Sequence, residues 1–153
     1  MRTLGNILWH FPFLGFLTAL GTFLIGGLLV ITVIGSPLGL GLIQLSKFLL
    51  APFSNAMVDK TDLQADQNKA WKTYGIIVRI LYFPIGLFLV VVNIFQIAGL
   101  FISIVGIPVA LVLAKSLSTY FNPVNKVCVS KAVADELSSR KAKAEVDKAF
   151  ATK

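Results

Sequence analysis

Two long apolar stretches, residues 4–53 and 74–121, dominate the chain, and a polar stretch follows each. Both are far longer than the ~18 apolar residues that mark a membrane-spanning helix. Within the first, residues 13–34 would rise about 33 Å as a helix, enough for a hydrocarbon core of ~30 Å. Gly35-Ser36-Pro37 then interrupts the run, because Gly relaxes the backbone and Pro lacks a donor N–H. Residues 38–51 resume it and stop at Pro52. A helix of about 21 Å is short for a straight crossing, so this segment is expected to re-enter or to make a thin crossing.

The same plan then recurs. Residues 85–105 form a long apolar segment, Gly106-Ile107-Pro108 breaks it, and residues 109–121 form a short one that Pro123 ends. "IGSPLGLGLIQLSKFLLAPFSNAMVDK" (34–60) aligns without a gap on "VGIPVALVLAKSLSTYFNPVNKVCVSK" (105–131) at an offset of 71. Gly35 meets Gly106, Pro37 meets Pro108, and Pro52 meets Pro123. Upstream, "TLGNI" (3–7) resembles "TYGII" (73–77), and "FPFLGFL" (11–17) resembles "FPIGLFL" (83–89). The pattern predicts an all-α membrane protein of two tandem repeats. Each repeat is a long transmembrane helix and a short helix, crossing or re-entrant, broken at Gly-x-Pro. The expected units are 1–60, a polar linker at 61–73, a second repeat at 74–131, and a charged helical tail at 132–153. The two breaks are expected together at one depth.

Composition sharpens the membrane reading. The chain is 56% hydrophobic and 14% charged, against about 25% charged in an ordinary soluble domain. No Asp or Glu precedes Asp59, and none lies between Asp66 and Asp135. The apolar run after Met-Arg-Thr exceeds the ~7–15 residues of a signal-peptide core, so the opening is expected to be retained. The net charge is +7; most of the basic residues lie in the N-terminus, the linker and the tail, and none lies at the breaks. The positive-inside rule favours both termini and the linker in the cytoplasm, with parallel repeats; if the short segments instead lie flat in the interface, the repeats are inverted and the linker faces the other side. No nucleic-acid partner is implied.

"MRTLGNIL", "SPLGLGLIQLSKFLLAPFSNAMV" and "ISIVGIPVALVLAKSLSTYFNPVNKV" together resemble the YccF family, small bacterial inner-membrane proteins built from two copies of one domain. Ser54 and Asn125 stand where that family often has Gly after each short segment. The resemblance implies a multi-pass bacterial inner-membrane protein. It carries over no activity and no catalytic or binding residue.

Candidate chemistry is sparse. Intramembrane ionisable groups are the first place to look, and His10, Lys47, Arg79 and Lys115 qualify. With no acid among them, proton- or sodium-coupled transport is disfavoured. Lys47 and Lys115 are read as snorkelling to headgroups, or else as a lysine ring at the mouth of an oligomeric pore. Arg79 is read as an interfacial anchor and His10 as a packed or interfacial histidine. Asn6, Gln44, Asn93 and Gln96 are interhelical hydrogen-bonding groups or the lining of a hydrated path. Gly106, Ala110, Ala114 and Ser118, four apart, make a small-residue ridge for helix packing, of which Gly35 and Gly39 begin a counterpart. Cys128 is read as a small apolar residue. No metal, cofactor or catalytic pattern is present, so no enzyme is expected. Two classes remain: a self-associating structural or scaffolding membrane protein, and a small oligomeric channel or pore that prefers anions. The bilayer and further copies of the chain are the expected partners.

Overall fold

A computed structural model describes residues 2–11, 13–63 and 69–151. Helices α1 (Arg2–His10), α2 (Gly15–Ile31) and α3 (Ser36–Leu50) lead into strand β1 (Asn55–Asp59) and a 3-10 turn, Lys60–Leu63. Helix α4 (Lys69–Phe101), a 3-10 turn (Ile104–Gly106) and α5 (Ile107–Phe121) lead into β2 (Lys126–Ser130), and α6 (Lys131–Ala151) closes the described chain.

The short helices start and stop for the same local reasons. Gly35 and Gly106 occupy their N-caps, and Pro37 and Pro108 sit in their first turns. Proline is at home there, since the first N–H groups of a helix have no intrahelical partner. Both helices run 15 residues and end before a proline. The residue before proline is driven out of the helical region. Ala51 accordingly has φ −149° and Asn122 has φ −151°.

The core lies where α3 and α5 meet. Leu45, Phe48, Leu49 and Val112 are at most 1% exposed and cluster with Trp9 and Ala19. Met57 of β1 and Cys128 of β2 pack onto the same cluster. Around this centre α2 and α4 expose Leu20, Leu28 and Ile31, and Ile80, Phe88 and Phe95. Such a belt is a liability in water and the normal surface of a helix in lipid. Lys69–Phe101 and Ile104–Phe121 are each long and apolar enough to cross a membrane. Helices α1 and α2 pass the same test only as a pair bent by 76°, a broken span or a re-entrant loop.

Several expectations are corrected here. The chain is mostly helical and also carries an antiparallel two-stranded ribbon, pairing Asn55 with Ser130, Met57 with Cys128 and Asp59 with Lys126. The strands fall at the ends of the units read as 1–60 and 74–131, where only helices are expected. Of the linker at 61–73, residues 69–73 belong to α4, and 64–68 lie outside the described residues. Helix α4 therefore starts well before residue 85 and carries Pro84 in its interior. Pro12, the counterpart of Pro84 in the earlier FP motif, also lies outside the described residues. The two breaks are not together. The Tyr74 hydroxyl donates to the Val33 and Ile34 carbonyls (3.2 and 2.8 Å), fixing the first break at the start of α4. The second break follows Phe101, 27 residues further on, or about 40 Å along the helix. The charged C-terminal helix is present as α6, with Arg140 paired to Glu136 at 2.9 Å.

Candidate functional site

Polar side chains gather around the ribbon. At its Asp59 end, Lys126 pairs with Asp59 at 3.1 Å and the Lys60 N–H donates to the Asn125 carbonyl (2.8 Å). At its other end the Lys131 N–H donates to the Ser54 carbonyl (2.9 Å). Gln44 reaches from α3 and accepts the Cys128 N–H at 3.2 Å. Asn6 reaches from α1, donating to Ser54 Oγ (2.9 Å) and accepting the Phe53 N–H (3.0 Å). Lys141 of α6 pairs with Asp62 at 2.7 Å, which brings the tail beside the 60–63 turn.

The candidate lysines are separate. Lys115 donates to the Pro52 carbonyl at 3.2 Å and lies 4.6 Å from the centre of the Phe53 ring. Its charge is thus held by a carbonyl and an aromatic face of the same chain. Lys47 is exposed in the last turn of α3, beside an apolar groove lined by Phe16, Leu20, Phe23 and Leu50. Arg79 is exposed on α4 and lines a cleft of about 330 Å³ with Asp59, Ser118, Asn122 and Lys126. Among the described residues, buried atoms with no hydrogen-bond partner are His10 Nδ1, Thr119 Oγ1 and Asn122 Oδ1. His10 Nε2 is 2.8 Å from the Leu50 carbonyl. The Asn93 amide is turned back on its own helix, donating to the Leu89 carbonyl at 2.8 Å. Gln96 is exposed.

Of the small-residue ridge, Gly106 and Ala110 are buried while Ala114 and Ser118 are exposed. A Cβ added at Gly106 would be 2.5 Å from the Leu100 carbonyl oxygen, and approaches at least as tight lie off the ridge. A Cβ at Gly39 would be 2.5 Å from the Gly26 carbonyl oxygen, and one at Gly41 would run into the Pro123 carbonyl. Cys128 is half-buried; burial pushes its thiol up from the usual cysteine range, and the nearby Lys47 charge pulls it partly back. At the positions where the family often has Gly, Asn125 takes the left-handed backbone (φ 63°), which Asn tolerates, so a tight turn forms there. Ser54 does not, and in that half the Asn6 side chain satisfies the turn instead.

Sequence reading missed the Asp59–Lys126 pair and the cleft, because both depend on strand pairing across 67 residues. No curated protein and no solved structure matches the chain. Residues 4–55 match the family model of the YccF inner membrane component domain, which, with the apolar helices, points to a membrane location.

Proposed function

We propose that this is a self-associating structural or scaffolding protein of the bacterial inner membrane, built from two copies of one YccF-like unit. The duplication is supported by a symmetry of the ribbon. Each residue of β1 and its copy 71 positions on exchange partners without changing the register: Asn55–Ser130 becomes Lys126–Asp59. The bonds that flank it, Lys60 N–H to Asn125 O and Lys131 N–H to Ser54 O, exchange in the same way. The matched carbonyls of Leu49 and Tyr120 also each accept from an aromatic side chain earlier in the same half, Trp9 Nε1 at 2.8 Å and Tyr82 OH at 3.1 Å, although these two donors do not align with one another. The two halves thus meet around a local two-fold axis through the Met57–Cys128 pair.

Both termini and the linker are assigned to the cytoplasm. Asn6 to Ser54, Ser54 to Lys131 and Lys141 to Asp62 tie N-terminus, linker and tail to one ribbon, where the basic residues lie. The observation that carries the scaffold reading is the filled centre. Leu45, Phe48 and Val112 are fully buried where the halves meet, and Lys115 is engaged within the chain. A pore would have to form between chains, and the exposed Lys47 is the residue that favours this second reading.

Ion flux into liposomes carrying the inserted protein separates the two, with Lys47→Ala and Lys115→Ala alongside. The scaffold reading expects no flux from an assembly that cross-linking in the bilayer shows to be oligomeric. Anion flux lost in Lys47→Ala would overturn it. A monomer in the bilayer would remove the self-association.

A further inference from the structure

The second half of the chain leaves open a space that the first half fills. The cleft of about 330 Å³ lies between the start of α4, the end of α5 and the Asp59–Lys126 end of the ribbon. At the matching place in the first half, Gly5 sits against the Phe53 ring, where an added Cβ would be 2.8 Å from Cγ. The Asn6 side chain occupies the rest, bonded to Ser54 and the Phe53 N–H. In the second half Val124 stands for Phe53 and Ile76 for Asn6, and the smaller, apolar pair leaves room. This comparison uses the duplication proposed above; the cleft and its lining do not.

What lines the space is polar and unfinished. Lys126 is held by Asp59 and its side chain is only 10% exposed, so the accessible cation is Arg79. Asn122, 8% exposed, keeps Oδ1 buried with no donor, an unfavourable state for an acceptor. Arg79 and Lys126 against Asp59 leave one net positive charge. Beside the cleft, Ile76, Ile77, Ile80 and Leu81 form an exposed apolar wall on α4. A ligand for this place carries a negative charge, a hydrogen-bond donor and an apolar tail.

We propose that the cleft binds the headgroup of an anionic phospholipid whose headgroup carries hydroxyls, of the phosphatidylglycerol class. The phosphodiester sits on Arg79, a fork that matches phosphate oxygens. A headgroup hydroxyl donates to Asn122 Oδ1, and the acyl chains follow the isoleucine wall. The site holds whether the chain scaffolds or conducts.

Native mass spectrometry of the full chain in mild detergent tests this, with phosphatidylglycerol, phosphatidylethanolamine and phosphatidylcholine of matched acyl chains in competition. Phosphatidylglycerol is expected to be retained over phosphatidylcholine by about tenfold, the scale of one charge-assisted contact set. Arg79→Gln should abolish the preference. Asn122→Ala, which installs the residue of the first half (Ala51), should reduce it, with Ser118→Ala as the substitute if that variant does not fold. Arg140→Gln, on the tail, should leave it intact. Equal retention of all three lipids, or an unchanged preference in Arg79→Gln, would overturn the site. Displacement of the lipid by millimolar inorganic phosphate would reassign it to a soluble anion, and a preference for phosphatidylethanolamine would overturn the anionic assignment.

Discussion

An alanine at position 39 probes how α2 and α3 are held together. The two helices touch through bare backbone. An added Cβ at Gly39 would lie 2.5 Å from the Gly26 oxygen and 2.8 Å from the Val30 nitrogen. The approach is mutual, since a Cβ at Gly26 would lie 2.9 Å from the Gly39 oxygen. A comfortable carbon–oxygen contact is about 3.3 Å, so the helices must part by roughly 0.8 Å. Neither obstacle is a side chain that could swing aside. Overpacking of this kind costs about 1–3 kcal/mol, and the rigid partners place Gly39→Ala near the top of that range. Alanine's higher helix propensity offsets about 1 kcal/mol. The net destabilisation is about 1–2 kcal/mol. Gly27→Ala supplies the control, because a Cβ there meets nothing within 4 Å. It keeps the propensity gain of about 0.5–1 kcal/mol with no clash. Equilibrium unfolding by SDS titration in mixed micelles, followed by tryptophan fluorescence, should separate the variants by about 1.5–3 kcal/mol with opposite signs about wild type. If Gly39→Ala proves as stable as Gly27→Ala, the close α2–α3 approach is wrong.

Other variants test other parts of the fold. Val33, a β-branched residue at φ 60° and 72% exposed, is strained and packs little, so Val33→Gly should raise stability by about 1 kcal/mol in the same titration. Asn125→Val should lower it by about 1–2 kcal/mol more than Asn125→Gly does, because only the valine is strained at φ 63°. Trp9→Phe and Tyr82→Phe each remove the donor to an equivalent carbonyl, and both should cost about 1 kcal/mol by differential scanning fluorimetry in detergent. Cys128 should react slowly with maleimide at neutral pH and faster as pH rises, because the thiolate is the nucleophile and burial raises the thiol. Lys47→Ala should slow it further. A thiol raised in the folded state contributes stability that is whole below the unfolded value and is lost as pH rises through the folded one, so Cys128→Ala should lose less stability than wild type between neutral and alkaline pH.

Much of the helical plan was legible in the sequence because its determinants are local. Gly-x-Pro and the second proline set both ends of α3 and α5 to within two residues, through the geometry of proline and the residue before it. The strands were not legible in the same way. "NAMVD" and "KVCVS" are five residues each and lie among charges, so hydropathy reads them as loop. Their recurrence 71 positions apart was the signal available, and pairing supplies the rest. Arg79 could be picked out as an interfacial residue, yet its neighbours in the cleft come from β1, α5 and β2 and meet only once the ribbon has formed. Lys115 reads in the sequence as a snorkelling or pore-mouth lysine, while its partners, Pro52 and Phe53, lie in the other half.

The ribbon also sets a clock on synthesis. Strand β1 emerges about 70 residues before β2, which at ~5–20 residues per second is a wait of roughly 4–14 s. Through that interval β1 presents an unpaired edge, and unpaired edges accept whatever strand arrives first. The register that pairs β1 with β2 downstream also lets it pair with a β2 from a neighbouring nascent chain. Dense translation of one message therefore favours exchange of strands between chains, and any oligomers isolated from overexpressing cells would carry swapped ribbons in proportion to how crowded their synthesis was.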